Sequence, residues 1–423
     1  MTGGAGATSV VVGAGIVGVA AAINLLRAGQ SVTLIDRQVP GEGCSAGSGG
    51  ILVSSSIVPV TLPGLVWKAV RMLVRPDGPL YLRWRYLPSM APWLVRYLSH
   101  CRTSEAHRIA AALTPLVADS LDEHRHLAKG TAAERLIRET AYAFVYRNRE
   151  AFAADTFAWR LREENGINWR VVEGGAVAEF EPALNAAYRY LAVFDGQHGF
   201  IDDPASYIRG LVNAFVAEGG CFRQLEIKAL TRDASGRVAL CAEGQNIHAD
   251  DIVIAAGAWS GRLLATIGVG IPMESERGYH VELLGPSVKL NNALMIADAK
   301  CVVTPMSGRL RLAGLVEFGG LEAGPSEAPI RTLAALAGRM FPRLTFERQT
   351  AWMGHRPATV DSLPVIGAVP GCVGLTVATG HHHIGLTSGP RTGRLVADLI
   401  IGRQSQLPLL PYRVSRFADA RAS

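Results

Sequence analysis

A glycine-rich turn between an apolar strand and a helix constrains this chain more than any other sequence feature. Gly13, Gly15 and Gly18 have the spacing GxGxxG, after an apolar run at residues 10–12 and at the start of a predicted helix over residues 16–28. The first glycine permits a tight turn, the second lets a pyrophosphate approach the backbone, and the third allows the helix to pack closely on the strand. The N–H groups at the start of the helix bind the anion. This order predicts a Rossmann-like domain that binds a dinucleotide through Gly13, Gly15, Ile16, Val17 and Gly18.

An acidic residue closes the second predicted strand of this unit. Asp36 ends the run at residues 32–36, at the distance where a carboxylate binds ribose hydroxyls. Arg37 follows it and weakly favours a 2′-phosphate, but the adjacent carboxylate repels one. The fingerprint alone leaves FAD and NAD both open.

The remaining chain predicts an α/β fold, α+β overall, with two domains built from discontinuous segments. Its 423 residues, 49% apolar, exceed the size of one usual core. We expect helices over residues 104–141, 210–219 and 389–402, and alternating short strands and turns over 273–346, typical of an antiparallel sheet. The predicted FAD-binding domain comprises residues 1–60, 185–272 and 350–423, and the predicted substrate-binding domain comprises 61–184 and 273–349.

Residues 57–102 combine three tryptophans with a basic excess, within a chain of net charge +6. This mixture suits either a solvent-facing part of the substrate domain or a segment lying on an anionic membrane. Prolines interrupt this segment, and it contains no apolar run of the roughly 20 residues that a membrane span requires.

The six cysteines have no paired spacing, which favours a reducing compartment. We therefore expect a cytoplasmic protein with a candidate peripheral contact on the inner membrane face and no nucleic-acid partner. The oligomeric state stays open.

Four separated segments carry a resemblance that covers nearly the whole chain. Besides the fingerprint, they are the small-residue loop 44–51, the strand and AxGAWS run at 252–260, and G-x-R-P-x-T-x-D-x-x-P-x-I-G at 354–367 followed by the TGH…G loop at 379–387. With them the chain resembles the D-amino acid oxidase superfamily, and within it the bacterial D-amino acid and D-hydroxyproline dehydrogenases. The resemblance implies FAD as the cofactor. It adds these positions to its binding site: Cys44, Ser45, Gly49, Gly50, Ile51, Ile227, Ala256, Gly257, Trp259, Gly380, His381, Ile384, Gly385, Leu386 and Thr387.

The resemblance also implies catalytic residues. Arg356 corresponds to the arginine that binds the substrate carboxylate in a bidentate manner. Residues 276–280 resemble the family's [KR]-G-Y segment, in which Tyr279 is expected to face the flavin or to donate to the carboxylate. His280 is expected to contact the substrate or the residues that surround it. The family's reaction transfers a hydride from the substrate Cα to flavin N5. We expect no metal at the triple histidine 381–383, since consecutive loop residues point in alternating directions and no carboxylate or cysteine lies nearby.

Three functions remain open at this level. The first is a dehydrogenase for a small D-amino acid, with D-proline and hydroxy-D-proline as candidates and a quinone or other acceptor. The second is an oxidase of the same fold that uses O₂ and acts on an amine, glycine or sarcosine. The third is a non-catalytic flavin-binding subunit of a larger dehydrogenase. For a covalent flavin, Cys301 and Cys372 are candidates by elimination only.

Overall fold

The computed structural model describes residues 7–75 and 78–417. Its strands, in chain order, are β1 (Thr8–Val12), β2 (Ser31–Asp36), β3 (Ile51–Leu52), β4 (Leu80–Leu82), β5 (Ile137–Thr140), β6 (Tyr142–Tyr146), β7 (Trp169–Glu173), β8 (Tyr190–Phe194), β9 (His198–Ile201), β10 (Cys221–Gln224), β11 (Ala229–Arg232), β12 (Val238–Ala242), β13 (Gln245–Ile247), β14 (Asp251–Ile254), β15 (Met273–Leu284), β16 (Ala293–Ile296), β17 (Cys301–Met306), β18 (Arg309–Phe318), β19 (Arg348–Thr359), β20 (Val365–Ala368) and β21 (Leu375–Thr379).

The α-helices are α1 (Ile16–Arg27), α2 (Leu65–Val74), α3 (Leu87–Ser99), α4 (Thr103–Val117), α5 (Ser120–Ala128), α6 (Arg149–Ala153), α7 (Thr156–Glu164), α8 (Ala176–Phe180), α9 (Pro204–Ala217), α10 (Ser260–Ala265), α11 (Glu327–Met340) and α12 (Gly385–Ile400). Short 3-10 helices lie at Trp84–Tyr86, Glu134–Leu136, Gly257–Trp259, Leu410–Tyr412 and Val414–Phe417.

A six-stranded sheet carries the glycine-rich turn. Its strand order is β10-β2-β1-β14-β21-β20, parallel throughout except for the β20–β21 pair. Helices α1 and α12 pack against each other beside this sheet. The packing is close because Gly393 has no side chain: a Cβ there would lie 2.5 Å from the Ala20 Cβ and backbone. This contact brings the N-termini of both helices toward the same region of the sheet.

A larger, mostly antiparallel sheet lies against the first unit. Its order is β19-β15-β18-β17-β16-β6-β8-β7, with β4 added beside β18. Strands β15 and β19 pair over twelve residues, from Met273 opposite Thr359 to Leu284 opposite Arg348. Because side chains alternate across a strand, one face of β15 packs against α11 and the other faces the six-stranded unit. Two three-stranded sheets, β11-β12-β13 and β3-β9-β5, complete the described chain.

This architecture confirms the predicted α/β fold class, with a parallel nucleotide-type sheet and an antiparallel sheet. The domain boundaries stay a prediction. Strand β8 falls within the predicted FAD-binding segment 185–272, yet it pairs with β6 and β7 in the larger sheet.

Several predicted elements differ from the structure. The stretch 104–141 is not one helix, because Asp119 has a left-handed backbone (φ 53°) between α4 and α5, and β5 begins at residue 137. Residues 273–346 are not only short strands and turns: β15 and β18 are long, and α11 interrupts the sheet because its apolar residues recur at helical spacing. Among the helices described, none has the length and apolar character needed to cross a bilayer.

Candidate active site

One large cavity lies between the two main sheets. Its volume is about 1150 Å³, above the roughly 300–1,000 Å³ typical of small-ligand sites. The loops that follow β1, β2, β14 and β21 form one wall, at the carboxyl ends of parallel strands where α/β sheets bind ligands. Strands of the larger sheet form the opposite wall. Most of the predicted site residues border it: Gly13, Gly15, Ile16, Val17, Asp36, Arg37, Cys44, Ser45, Gly49, Gly50, Ile51, Ile227, Ala256, Gly257, Trp259, Tyr279, Arg356, His381, Gly385, Leu386 and Thr387.

Four predicted residues do not border the cavity: Gly18, Gly380, Ile384 and His280. Gly18 lies behind the turn, where an added Cβ would be 1.9 Å from the Gly13 carbonyl oxygen. Gly380 has a positive φ of 79° and lies against Thr359, and Ile384 packs in the core beside α12. These positions shape the loops that form the cavity, so any effect they have on a ligand is indirect.

The glycine-rich turn has the geometry that an anion site requires. Gly13 has φ +112°, and a Cβ there would lie 2.4 Å from the Ala255 carbonyl oxygen. The Asp36 carboxylate accepts hydrogen bonds from the backbone N–H groups of Ala14 (2.6 Å) and Gln38 (2.8 Å). Since each carboxylate oxygen has two lone pairs, acceptor capacity remains for ribose hydroxyls. Asp36 therefore also ties the turn to the end of β2.

Arg37 stacks on an aromatic ring at the same end of the cavity. Its guanidinium lies 4.0 Å from the Trp259 ring centroid. Ile227 is buried beside them. This group forms a flat, partly apolar surface suited to a planar base, and it engages Arg37 in a cation–π contact instead of leaving it free for a phosphate.

The loop at residues 44–50 is held by the larger sheet through its carbonyl groups. The buried Arg311 guanidinium donates to the carbonyl oxygens of Ala46 (2.9 Å) and Ser48 (2.7 Å). His280 Nδ1 lies 2.9 Å from the Gly47 carbonyl oxygen, and the Thr304 hydroxyl donates to that of Gly49 (2.6 Å). Because N–H and C=O of one peptide point in opposite directions, this arrangement turns the N–H groups of Gly47 and Gly49 away from the sheet, whereas those of Ser48 and Gly50 donate within the loop.

Arg311 and its partner Glu282 are functional candidates that the sequence analysis did not identify. Glu282 accepts from both Nε (3.0 Å) and Nη2 (2.8 Å) of Arg311, which fixes the guanidinium plane. Burial lowers the pKa of Arg311, and the Glu282 carboxylate opposes this effect. No local motif marks these residues, since the loop carbonyls that Arg311 binds lie more than 260 positions away in the chain.

The structure places His280 outside the lining of the cavity. Its ring stacks on Trp352 (centroids 5.3 Å apart, 15° between planes) and faces the Gly47 carbonyl, behind the cavity wall. Burial and the Arg311 charge lower the pKa of His280 to about 4. The ring is therefore neutral at pH 7 and orients the loop, whereas Trp352 itself borders the cavity.

Tyr279 borders the cavity, but its hydroxyl is already engaged. It donates to the Glu317 carboxylate and accepts from the Ser326 backbone N–H at the start of α11. A phenol has a single proton to donate, so this hydroxyl cannot also donate to a substrate carboxylate. Burial and the Glu317 hydrogen bond raise the pKa of Tyr279.

Arg356 extends into the cavity from β19. Its guanidinium lies over Gly278, where a Cβ would be 2.3 Å from Cζ. It donates to the carbonyl oxygen of Leu315 (3.0 Å), whose left-handed backbone (φ 56°) occurs within β18. The same wall carries Glu276 of β15, the residue directly across from Arg356 in the sheet.

The three consecutive histidines have three different environments. His381 Nε2 lies 3.1 Å from the Thr392 hydroxyl, and burial lowers the pKa of this ring to about 3. His382 Nε2 accepts from the Thr359 backbone N–H (2.9 Å). His383 is accessible through the cavity yet lies deep in the molecule, and burial lowers the pKa of its ring to about 4. Within residues 7–75 and 78–417, no cluster of three or more His, Cys, Asp or Glu residues is arranged to hold a metal.

These residues fit FAD. The glycine turn places the N-terminus of α1 at the cavity, where a pyrophosphate would bind, and Asp36 retains acceptor capacity for a ribose. The N-terminus of α12 borders the cavity beside the loop at residues 44–50, and its positive dipole end favours a negatively charged ring system. Cys301 and Cys372, the candidates for covalent attachment, are both buried away from the cavity wall.

Comparison with known proteins adds independent findings. The family described as FAD dependent oxidoreductase, DAO, matches residues 9–399. A D-amino-acid oxidase of Bradyrhizobium diazoefficiens is 37% identical over 414 residues, which cover 96% of this chain and 98% of the relative. A D-amino acid dehydrogenase of Dechloromonas aromatica is 31% identical, covering 95% of this chain and 98% of the relative.

A solved structure supports the fold. The glycine oxidase of Geobacillus kaustophilus matches with a TM-score of 0.72 and 23% identity, covering 97% of this chain and 99% of that one. At this identity the similarity concerns the architecture alone.

Proposed function

The chain belongs to the DAO family of FAD-dependent oxidoreductases, and we propose that it oxidises a small D-amino acid at Cα to the imino acid. Membership confirms the predictions of an enzyme and of FAD as its cofactor. The substrate class rests on the curated relatives, which are named for D-amino acids. The observation that carries the proposal is the Arg356 guanidinium, which borders the cavity beside the Glu276 carboxylate.

FAD, when bound, supplies the acceptor for the hydride that leaves the substrate Cα. The chain's own residues bind and orient the substrate. Arg356 binds the carboxylate, since a guanidinium matches a carboxylate with two parallel hydrogen bonds. Trp352 and the apolar side chains of Met90 and Leu94 border the same cavity and exclude water. The loop at residues 44–50, held by Arg311, presents backbone N–H groups to the cofactor.

The test is an anaerobic titration of the purified protein with a panel of single amino acids. The panel contains D-alanine, D-proline, both hydroxy-D-prolines, glycine, sarcosine and the matching L-isomers. Flavin bands that bleach with D-isomers and remain with L-isomers support the proposal. Bleaching by glycine or sarcosine alone supports the amine-oxidase alternative. If no amine bleaches the flavin, the non-catalytic subunit becomes the better description.

We also infer that electrons pass to a membrane acceptor such as a quinone. Helix α2 exposes Val66 (47%), Trp67 (76%) and Val70 (50%) to solvent. The other side of this helix borders the cavity through Leu65, Ala69, Met72 and Leu73. Exposed apolar side chains beside the basic Arg71 suit an anionic lipid surface. A membrane bound there would lie next to the cavity wall.

We expect Trp67→Ser to weaken binding to anionic vesicles by about tenfold or more, since burying one large apolar side chain contributes roughly 1.5–3 kcal/mol. Vesicle co-sedimentation at low and high salt measures the effect, with Phe346→Ser as control, because Phe346 is also an exposed aromatic (43%) but lies outside α2. Equal losses in both variants, or no binding by the wild type, would argue against a membrane contact. Fast reoxidation of the reduced protein in air would favour O₂ as acceptor.

Arg311→Met should reduce FAD affinity by about 10- to 100-fold, because two charge-assisted bonds to the loop carbonyls are lost. Fluorescence titration of the deflavinated protein with FAD gives the dissociation constant. Arg309→Met is a matched control on the same strand: Arg309 also lies beside Glu282 but does not reach the loop. Similar FAD affinity in Arg311→Met and wild type would contradict the role of this arginine.

A further inference from the structure

A buried carboxylate borders the cavity beside the arginine of β19. Glu276 is 6% exposed and borders the cavity. In the described part of the chain its nearest positively chargeable neighbour is His382, whose Nδ1 lies 3.9 Å from Oε2, beyond hydrogen-bond distance. A carboxylate has about four lone-pair sites, and buried polar groups in proteins are almost always hydrogen-bonded. The Glu276 carboxylate therefore has acceptor capacity for a donor from a ligand.

Glu276 and Arg356 project side by side into the cavity. They are directly paired residues of β15 and β19, so their Cβ atoms lie about 4.5–5.5 Å apart. The Arg356 guanidinium is turned over Gly278 and toward the Leu315 carbonyl. The two opposite charges influence each other but are not joined in an ion pair within the described residues. A negative and a positive group thus stand next to each other, each with capacity for a ligand.

We propose that Glu276 binds the ammonium group of the substrate and accepts the proton that leaves it before oxidation. This inference rests on the proposed function, since a zwitterionic amino acid presents a carboxylate to Arg356 and an ammonium to Glu276. In the step, one N–H bond of the ammonium breaks and an O–H bond forms on the Glu276 carboxylate. The electron pair stays on nitrogen, and the neutral amine can then support loss of hydride from Cα.

The surroundings of Glu276 keep it ionised before substrate binds. Burial raises its pKa, but the His382 ring and the Arg356 charge outweigh this effect, and the pKa lies below its usual value. The other titratable groups that face it are His383 from the same loop, Cys44 from the loop after β2 and Tyr97 from α3. Burial raises the pKa of both Cys44 and Tyr97 and lowers that of His383, so these three are neutral at pH 7.

The tautomer of His382 follows from its hydrogen bond. Nε2 accepts from the Thr359 N–H, so in the neutral ring the proton is on Nδ1, which faces Glu276 and is buried without any other partner. The left-handed backbone of His382 (φ 47°) holds the ring in this direction. His382 therefore orients Glu276 through Oε2, and the carboxylate keeps acceptor capacity for the substrate. The same arrangement would distinguish amino acids from 2-hydroxy acids, which have no ammonium.

The test compares wild type with Glu276→Gln, which keeps the shape but neither the charge nor the ability to accept a proton. We expect the dissociation constant of the D-amino acid, from anaerobic flavin reduction at pH 7, to rise about 10- to 100-fold. The matching D-2-hydroxy acid, whose binding is followed by the shift of the flavin spectrum, should bind the variant within about threefold of wild type. In the variant, kcat/KM should fall about tenfold per pH unit below the pKa of the free substrate amine and approach wild type at roughly pH 10.

Glu274→Gln is the matched control, because Glu274 lies two residues away on β15 and contacts Tyr86 instead of the cavity; it should retain the wild-type pH profile. Two results would overturn the inference: equal weakening of both ligands, or a loss in Glu276→Gln that is independent of pH. Each is what a purely structural glutamate would give. If no D-amino acid reduces the wild-type flavin, the proposed function fails separately, before this comparison is made.

Discussion

Replacing Arg356 with methionine should lower kcat/KM for the D-amino acid by about 10²- to 10⁴-fold. Two charge-assisted hydrogen bonds contribute roughly 1.5–3 kcal/mol each, and each 1.4 kcal/mol corresponds to about a factor of ten. Arg356→Lys should recover only part of this loss, because an ammonium keeps the charge but lacks the planar pair of donors. Stopped-flow reduction of the flavin under anaerobic conditions separates the dissociation constant from the hydride-transfer rate.

The Arg356 variants also remove a donor from the Leu315 carbonyl, so folding needs its own control. Flavin content and thermal midpoint should stay close to wild type, since the guanidinium borders an open cavity and water can replace it. Arg348→Met, an exposed arginine of the same strand, should leave kcat/KM unchanged. A fully flavinated Arg356→Met protein with wild-type kinetics would exclude Arg356 as the carboxylate ligand.

The second large effect is expected at Gly18. A Cβ on this residue would lie 1.9 Å from the Gly13 carbonyl oxygen and 3.3 Å from the Ala255 side chain. The contact is with backbone, so α1 must move away from β1, and the turn at Gly13 moves with it. Such overpacking costs typically 1–3 kcal/mol, and a displaced pyrophosphate site loses FAD affinity on the order of 10²-fold. We expect Gly18→Ala to purify largely without flavin.

Gly338→Ala is the control for this prediction. Gly338 is also helical, but nothing lies within 4 Å of the Cβ it would gain, so the change should stabilise α11 slightly. FAD titration and thermal unfolding of both deflavinated proteins separate a binding defect from general instability. Full flavin occupancy in Gly18→Ala would mean that the helix adjusts without disturbing the turn.

The nucleotide-binding unit could be predicted because its signals are local. The turn residues lie within six positions of one another, and Asp36 closes the next strand along the chain. Glycine at these positions reflects a backbone requirement, since Gly13 adopts φ +112° and no side chain fits there. The residues at 354–367 and 379–387 were also found from the sequence, because they resemble a long family motif.

The larger sheet was predicted less well. Helix α11 was missed within a stretch expected to contain only strands and turns. The end of α4 was also missed, although Pro115 lies in its last turn and Asp119 follows with a left-handed backbone. The predicted catalytic roles of Tyr279 and His280 depended on which face of β15 each side chain occupies. In the structure the Tyr279 hydroxyl donates to the Glu317 carboxylate, and the His280 ring contacts the Gly47 carbonyl oxygen.

The sequence by itself determined the dinucleotide turn, the family and the arginine of the motif at 354–367. Only the tertiary structure decided that Glu276 stands beside Arg356, and that Arg311 and His280 hold the carbonyls of the loop at residues 44–50. The physical reason is the two-residue period of a β-strand: a shift of one residue in register moves every side chain to the opposite face. Register between strands some 80 positions apart depends on the packing of the whole sheet.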